Sequence, residues 1–279
     1  LRALQIRAML FVMTLAASFI RAWLALPLLL AVPAFAVEAS QAENSMTDTA
    51  GADAMPGEPP LPAAAPLPLP VLDTPVRIDH IVLGIADLDR GIAEMQRRTG
   101  VRAVPGGSHP GRGTHNALMS LGPGIYLEII APDPAQNIEP QGFNMLASLE
   151  KLTPIGWAVA TDDAPALRSD LAEAGFKLGQ LRPGSRALPG GGALNWVSFG
   201  LPGAPELAPF FIAWGQGTRH PSATSPGGCR LKALALASPD AARLANIVDR
   251  LGLGVSVSRS HNDSESLTLV CKGGLVRFP

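Results

Sequence analysis

Ile78-Asp79-His80-Ile81-Val82-Leu83, a glycine-rich turn running on to His115, and Tyr126-Leu127-Glu128-Ile129-Ile130 are the stretch on which the reading of this chain depends. The first is a short apolar strand carrying one histidine, and the last an apolar strand carrying one carboxylate. Two imidazoles and a carboxylate in strand-like settings are the ingredients of a divalent-metal site.

Outward from this stretch the chain repeats one plan three times: an apolar strand, an acidic or capping turn, an amphipathic helix closed by glycine, then another strand. The first unit has Ile78 to Ala86, Asp87-Leu88-Asp89, a helix to Thr99 and Gly100, then Val101 to Val104; Leu88, Ile92 and Met95 share one helical face. The second has Ile155 to Thr161, Asp162-Asp163, a helix to Ala174 and Gly175, with Leu167 and Leu171 as its stripe. In the third, Leu231 to Ala237 and Ser238-Pro239-Asp240 precede a helix to Leu251 and Gly252, with Leu244, Ile247, Val248 and Leu251 facing inward.

More strands follow the first two helices. Thr114 to Leu121 and Ile125 to Ala131 flank Gly122-Pro123-Gly124, a hairpin signal. Leu194 to Phe199 and Pro209 to Trp214 flank a second glycine- and proline-rich segment. Strand, helix and meander, taken twice, make a curved, cupped mixed sheet whose concave side is a natural pocket. The expected class is therefore α+β, with a third, partial unit at the C-terminus.

These residues resemble the glyoxalase-like branch of the vicinal oxygen chelate superfamily, whose building block is a βαβββ module used in pairs around a metal centre. The likeness rests on Ile78-Asp79-His80-Ile81-Val82, on the run Val104 to Leu118 with its Gly106-Gly107-Ser108-His109, and on Tyr126 to Pro134. It implies module one at residues 76–134, module two at 154–222 and a partial third module at 228–279, all within one domain at 76–279.

The resemblance also implies the site. The first strand of a module offers a histidine and the last a glutamate, so His80 and Glu128 are the expected metal ligands, Glu128 also being catalytic. Aligned repeats place Trp157 opposite His80 and Phe210 or Phe211 opposite Glu128, so the usual second ligand pair is missing. Further donors are sought in His115, Asn116 or water. His115 is expected as both third ligand and catalytic group, although hairpin pairing of Leu121 with Ile125 sets Asn116 and Glu128 on one face and His115 on the other unless a bulge intervenes. Arg112, on the flexible loop, is the expected fork for a substrate carboxylate, with Asn116 and Trp157 as further substrate contacts. His109 shares that loop and is a further candidate ligand or acid-base group, but the glycines and prolines around it suggest exposure.

The implied activity is that of a divalent-metal-dependent lyase, isomerase or dioxygenase acting on a small oxygenated substrate, the ion being Zn, Ni, Mn or Fe. The alternative is a non-catalytic small-molecule binding or resistance protein of the same fold. A second copy of the chain, as in a homodimer, is an open partner.

The bulk numbers exclude more than they assign. With 22 basic and 23 acidic residues the net charge is -1, which gives no footprint for nucleic acid. Cys229 and Cys271 are too few for a disulfide framework, lack metal-type spacing and read as small core or edge residues. Residues 1–36 read as a signal peptide: the uncharged run Ala8 to Ile20, Arg21, a leucine-rich run, and Ala34-Phe35-Ala36 before the cleavage point. Residues 37–75, alanine- and proline-rich with six acidic and no basic residues, read as a disordered linker. The protein is therefore expected to be exported to the periplasm or outside the cell, with no membrane contact after cleavage. A membrane anchor, or a start at Met46 giving a cytoplasmic protein, are the other readings.

Overall fold

Twelve strands and three α-helices form within residues 69–140, 144–187 and 192–279, the parts of the chain that the computed structural model describes. Residues 1–36, read from sequence as a leader, and most of residues 37–75, read as a linker, lie outside the described residues. Among the described residues no helix is long and apolar enough to cross a membrane.

The first unit comprises β1 (Val76–Gly84), α1 (Leu88–Thr99), β2 (Val104–His109), β3 (Thr114–Ser120) and β4 (Tyr126–Pro132). Asp87 caps α1 by accepting from the Arg90 N–H at 2.8 Å, Gly100 ends it in the left-handed conformation, and Leu88, Ile92 and Met95 are its buried stripe. The segment after Val104 is not a simple glycine turn: it forms a strand that pairs with β3, with an irregularity between Pro105 and Gly107. The second unit repeats the order in β5 (Thr153–Thr161), α2 (Ala164–Glu173), β6 (Arg182–Ala187), β7 (Ala193–Phe199) and β8 (Phe210–Trp214), with Asp163 capping α2.

These eight strands form one curved sheet in the order β2-β3-β4-β1-β5-β8-β7-β6. Each unit pairs its first strand in parallel with its last, and β1 joins β5 antiparallel at the centre. The outer edges approach each other, since Arg186 of β6 lies against Gly106 and Gly107 of β2. Side chains alternate: Ile81, Leu83, Ala117, Met119, Leu127, Ile129, Trp157, Val159 and Phe211 enter the main core, which they share with the helices.

The C-terminal unit, β9 (Cys229–Ser238), α3 (Ala241–Leu251), β10 (Ser256–Arg259), β11 (Ser264–Cys271) and β12 (Gly274–Phe278), keeps the element order but not the pairing. Its separate sheet runs β10-β9-β11-β12, with the strand after the helix pairing in parallel directly with the strand before it. In the first two units that strand lies at the outer edge instead. The sheet's buried face, including Leu234, Leu236, Leu267 and Leu269, joins the main core, and the Arg98 guanidinium of α1 sits 3.9 Å from the Phe278 ring centroid. Cys229 and Cys271 are not free core residues. They face each other across the β9–β11 pair and form a disulfide.

Candidate functional site

The concave face of the eight-stranded sheet encloses a cleft of about 710 Å³. Its first wall is laid down by alternation. On β4, Tyr126, Glu128 and Ile130 face the cleft while Leu127, Ile129 and Ala131 face the core. On β3, Thr114, Asn116 and Leu118 do the same, because Asn116 pairs with Ile130 and Leu118 with Glu128. On β1 the pairing with β5 slips between Ile78 and His80, a bulge at Asp79. Ile78 and Ile81 therefore pack on the core, whereas His80 lines the cleft and Asp79 reaches the same side to bond it.

His80 is held from behind. Its Nδ1 lies 2.6 Å from Asp79 Oδ1, and its ring stacks on Tyr126 with centroids 4.6 Å apart. Asp79 is wholly buried, and its Oδ2 accepts from Trp214 Nε1 at 2.9 Å and lies 3.1 Å from His220 Nε2. Burial by itself would raise its pKa; the hydrogen bonds with His220, His80 and Trp214, together with the charge on His80, outweigh it and hold the carboxyl well below the usual carboxylate range. With Nδ1 engaged by an ionised carboxylate, Nε2 is the nitrogen His80 presents to the cleft.

Glu128 stands in front of that nitrogen, with Oε2 at 3.5 Å from His80 Nε2. This is longer than a strong hydrogen bond between such groups. Its other oxygen, Oε1, accepts from Asn116 Nδ2 at 2.7 Å and lies 3.6 Å from His109 Nε2. His109 is tied through Nδ1 to Thr114 Oγ1 at 2.9 Å, and its Nε2 is 3.2 Å from Asn116 Nδ2. Burial lowers the His109 pKa, Arg186, Arg112 and His115 add to that, and Glu128 opposes it. The ring is thus held toward its neutral form. Burial, with the charges of Glu128 and Asp79, raises the Tyr126 phenol well above its ordinary value and keeps it protonated.

The second wall comes from the other unit. Phe210, Ile212 and Trp214 of β8 and Trp196 of β7 present an apolar surface, and Arg186 of β6 reaches in beside Asn116. By pairing register, Ala158 and Ile212 occupy the places that His80 and Glu128 hold in the first unit, so this half carries no second ligand pair.

The sequence-derived candidates divide accordingly. His80, Glu128, Asn116 and Arg112 all line the cleft, Arg112 as an exposed side chain on the turn after β2. His115 does not join them as ligand or catalytic group: it pairs with Ala131 and its side chain leaves by the face opposite Asn116. Trp157 is likewise removed from the substrate contacts. It is fully buried on the helix side of β5, where its indole N–H donates to Leu207 O at 3.0 Å. Arg186, Tyr126, Asp79 and His220 were not assigned to the site from sequence, and His109, read there as exposed, lines the cleft. Two neighbouring polar residues inside the apolar strand β1 were the one local signal available for Asp79.

The donor chemistry suits a divalent ion at His80 and Glu128: an imidazole nitrogen oriented by a buried carboxylate faces an ionisable carboxyl group. Among the described residues no group of three or more His, Cys, Asp and Glu side chains converges as a metal site. The nearest further donor, His109 Nε2, is engaged by the Asn116 amide.

Two such modules, sharing one cupped sheet with histidine from a first strand and glutamate from a fourth on its concave side, define a protein of the vicinal oxygen chelate superfamily. A family model described as a glyoxalase-like domain matches residues 78–252, more than half of the chain. The chain belongs to that glyoxalase-like family. Among solved structures, a hypothetical protein from Staphylococcus aureus superposes with a TM-score of 0.55 at 16% identity, over 73% of this chain and 99% of that one, which shows the shared fold. A methylmalonyl-CoA epimerase variant from Streptomyces coelicolor, in complex with 2-nitronate-propionyl-CoA, matches 50% of this chain and 98% of its own at 18% identity and a TM-score of 0.38. The Mycobacterium tuberculosis methylmalonyl-CoA epimerase matches 52% of this chain and 89% of its own at 18% identity and a TM-score of 0.35. No curated protein matches the chain.

Proposed function

We propose that the protein is a glyoxalase-like enzyme that holds a divalent ion (Zn, Ni, Mn or Fe) with His80 and Glu128 and carries out lyase, isomerase or dioxygenase chemistry on a small oxygenated organic substrate. The observation that carries this reading is the pairing of His80 Nε2 with Glu128 Oε2 at 3.5 Å, the first oriented by Asp79 and the second fixed by Asn116. When bound, the ion supplies Lewis acidity toward a substrate oxygen. The chain's own residues do the rest. Asn116 holds one oxygen of Glu128 and leaves the other turned to His80. His109, kept toward its neutral form inside the cleft, turns its Nε2 lone pair to the Asn116 amide and takes up a proton there by giving up that contact. Tyr126 retains its hydroxyl proton and offers it as a donor. Trp196, Phe210 and Trp214 exclude water from the opposite side.

Metal analysis of the purified protein, with His80→Ala and Glu128→Gln beside the wild type, tests the reading. One ion per chain that both variants lose supports it. A chain that takes up no divalent metal after reconstitution, yet binds small organic ligands without turning them over, would be a binding protein instead.

We further propose that the protein is exported from the cytoplasm. The leader-like segment at residues 1–36 and the Cys229–Cys271 disulfide both support export, since disulfides persist in oxidising compartments. N-terminal sequencing of protein recovered from a host that exports it tests this, with a start at Val37 expected.

A further inference from the structure

A row of three residues crosses the strands of the second unit from the edge inward: Gly184 of β6 pairs with Trp196 of β7, and Trp196 with Trp214 of β8. The glycine lets the Trp196 indole lie over β6, since a Cβ at position 184 would stand 2.3 Å from its Cε2 and 2.4 Å from its Nε1. Trp214 meets it with ring centroids 5.7 Å apart and planes inclined by 58°. Phe210 completes a shelf whose floor is Ala158, Ala160 and Ile212, the two alanines being wholly buried. All three rings line the cleft and remain partly exposed.

Ala158 and Ile212 stand where the first unit has His80 and Glu128. The cleft therefore has two unlike poles, one of nitrogen and oxygen donors and one of aromatic faces. Partly wetted rings in a concave site gain by being covered, because apolar surface leaves water and a flat partner adds stacking. Trp157 and Trp214 are pinned by their indole N–H groups, which donate to Leu207 O and Asp79 Oδ2. Trp196 makes no such bond among the described residues, and its orientation is set by packing on Gly184 and Trp214. We propose that Trp196, with Phe210 and Trp214 beside it, is the subsite for a planar aromatic ring of the substrate, and that Gly184 determines specificity by letting that indole lie flat. This deepens the reading of the cleft as a substrate site and rests on it. A flat ring can stack on one indole and turn its edge to the other, inclined one; a saturated ring keeps the burial but loses both aromatic contacts.

The probes are 2-phenylethanol and 2-cyclohexylethanol, neutral alcohols of like size, titrated by ligand-observed NMR into wild type, Trp196→Ala, Trp196→Phe and Gly184→Ala. Trp196 is the ring to change, because Trp214 also holds Asp79. Each protein is measured chelator-stripped and zinc-reconstituted. The expected result is phenylethanol binding that survives stripping, exceeds cyclohexylethanol binding about 3- to 10-fold, weakens about tenfold in Trp196→Ala and largely recovers in Trp196→Phe. Gly184→Ala, which lifts the indole without removing it, is expected to weaken binding comparably. Phenylethanol binding unchanged in Trp196→Ala, or no tighter than that of cyclohexylethanol, overturns the subsite and leaves the metal reading intact. Binding unchanged in Gly184→Ala overturns the role of the glycine. Trp196-dependent binding in a protein that takes up no metal does the reverse, sinking the ion and supporting the subsite. Thermal melts report whether each variant folds; where one does not, the preference of the wild type for the phenyl ring over the cyclohexyl ring decides.

Discussion

Asp79 Oδ1 lies 2.6 Å from His80 Nδ1, an arrangement of adjacent residues made possible by the bulge that turns both to one side of β1. Asp79 is thereby the anchor of the site, with Trp214 and His220 as its own supports. Asp79→Asn keeps the shape but removes the charge that orients the imidazole. Metal affinity is expected to fall about 10- to 100-fold while His80 remains in place. Competition titration against a chromogenic chelator measures this, and unchanged affinity would show that the Asp79 carboxylate has no hold on the ligand.

The two histidines on either side of the β2–β3 turn separate cleanly. His115→Ala should leave metal and ligand affinity within about twofold of wild type, as expected of a residue outside the site. His109→Ala should reduce turnover, with a change in the pH profile of kcat/KM in the region where imidazole titrates. A large loss in His115→Ala would require β3 to present its other face to the cleft.

The two tryptophans differ in the same way. Trp157→Ala removes a fully buried ring from the core and is expected to cost about 3–5 kcal/mol of stability by denaturant unfolding. Trp196→Ala should cost the fold less and weaken binding of aromatic ligands instead. Equal effects of both on binding would contradict the assignment of their faces.

How much of this was legible in sequence follows from what is local. His80 and Glu128 stood out because each interrupts an apolar strand, whereas His115 as a ligand required a bulge that the unbroken β3–β4 pairing does not contain, so hairpin spacing leaves Asn116 beside Glu128 and His115 opposite. Trp157 was misplaced because aligning β5 with β1 one residue out of step exchanges the two faces of a strand. Arg186 carried no local signal: its burial depends on β6 meeting β2 around the cup, a contact between residues about eighty positions apart. His109 looked exposed among glycines and prolines, yet that segment forms a strand whose pairing with β3 carries it inward. The third unit reads as a repeat because its element order is the same, whereas strand pairing is set by tertiary packing. The cysteines, 42 residues apart, become neighbours only once β9 and β11 pair.

Glu265 gives the fold a pH dependence of its own. It points inward from β11, only 4% exposed, with neither carboxylate oxygen hydrogen-bonded among the described residues. Burial pushes its pKa from the ordinary 4.5 up to about 8. A folded-state pKa above the unfolded one means that the folded state binds the extra proton. This contribution is fully present below pH 4.5 and is lost as the pH rises through about 8. Glu265→Gln should flatten that decline and stabilise the protein at pH 8 and above, by up to about 5 kcal/mol. Melting curves of both proteins from pH 5 to 9 measure the difference, and parallel curves would show that Glu265 is solvated or paired.

The most direct measurement is crystallographic: anomalous difference density from protein reconstituted with manganese or zinc. The account predicts one strong peak inside the cup, within coordination distance of His80 Nε2 and a Glu128 carboxylate oxygen, and no such peak in His80→Ala. A peak elsewhere in the molecule, or an empty cup at saturating metal with His80 and Glu128 hydrogen-bonded to each other, would contradict it.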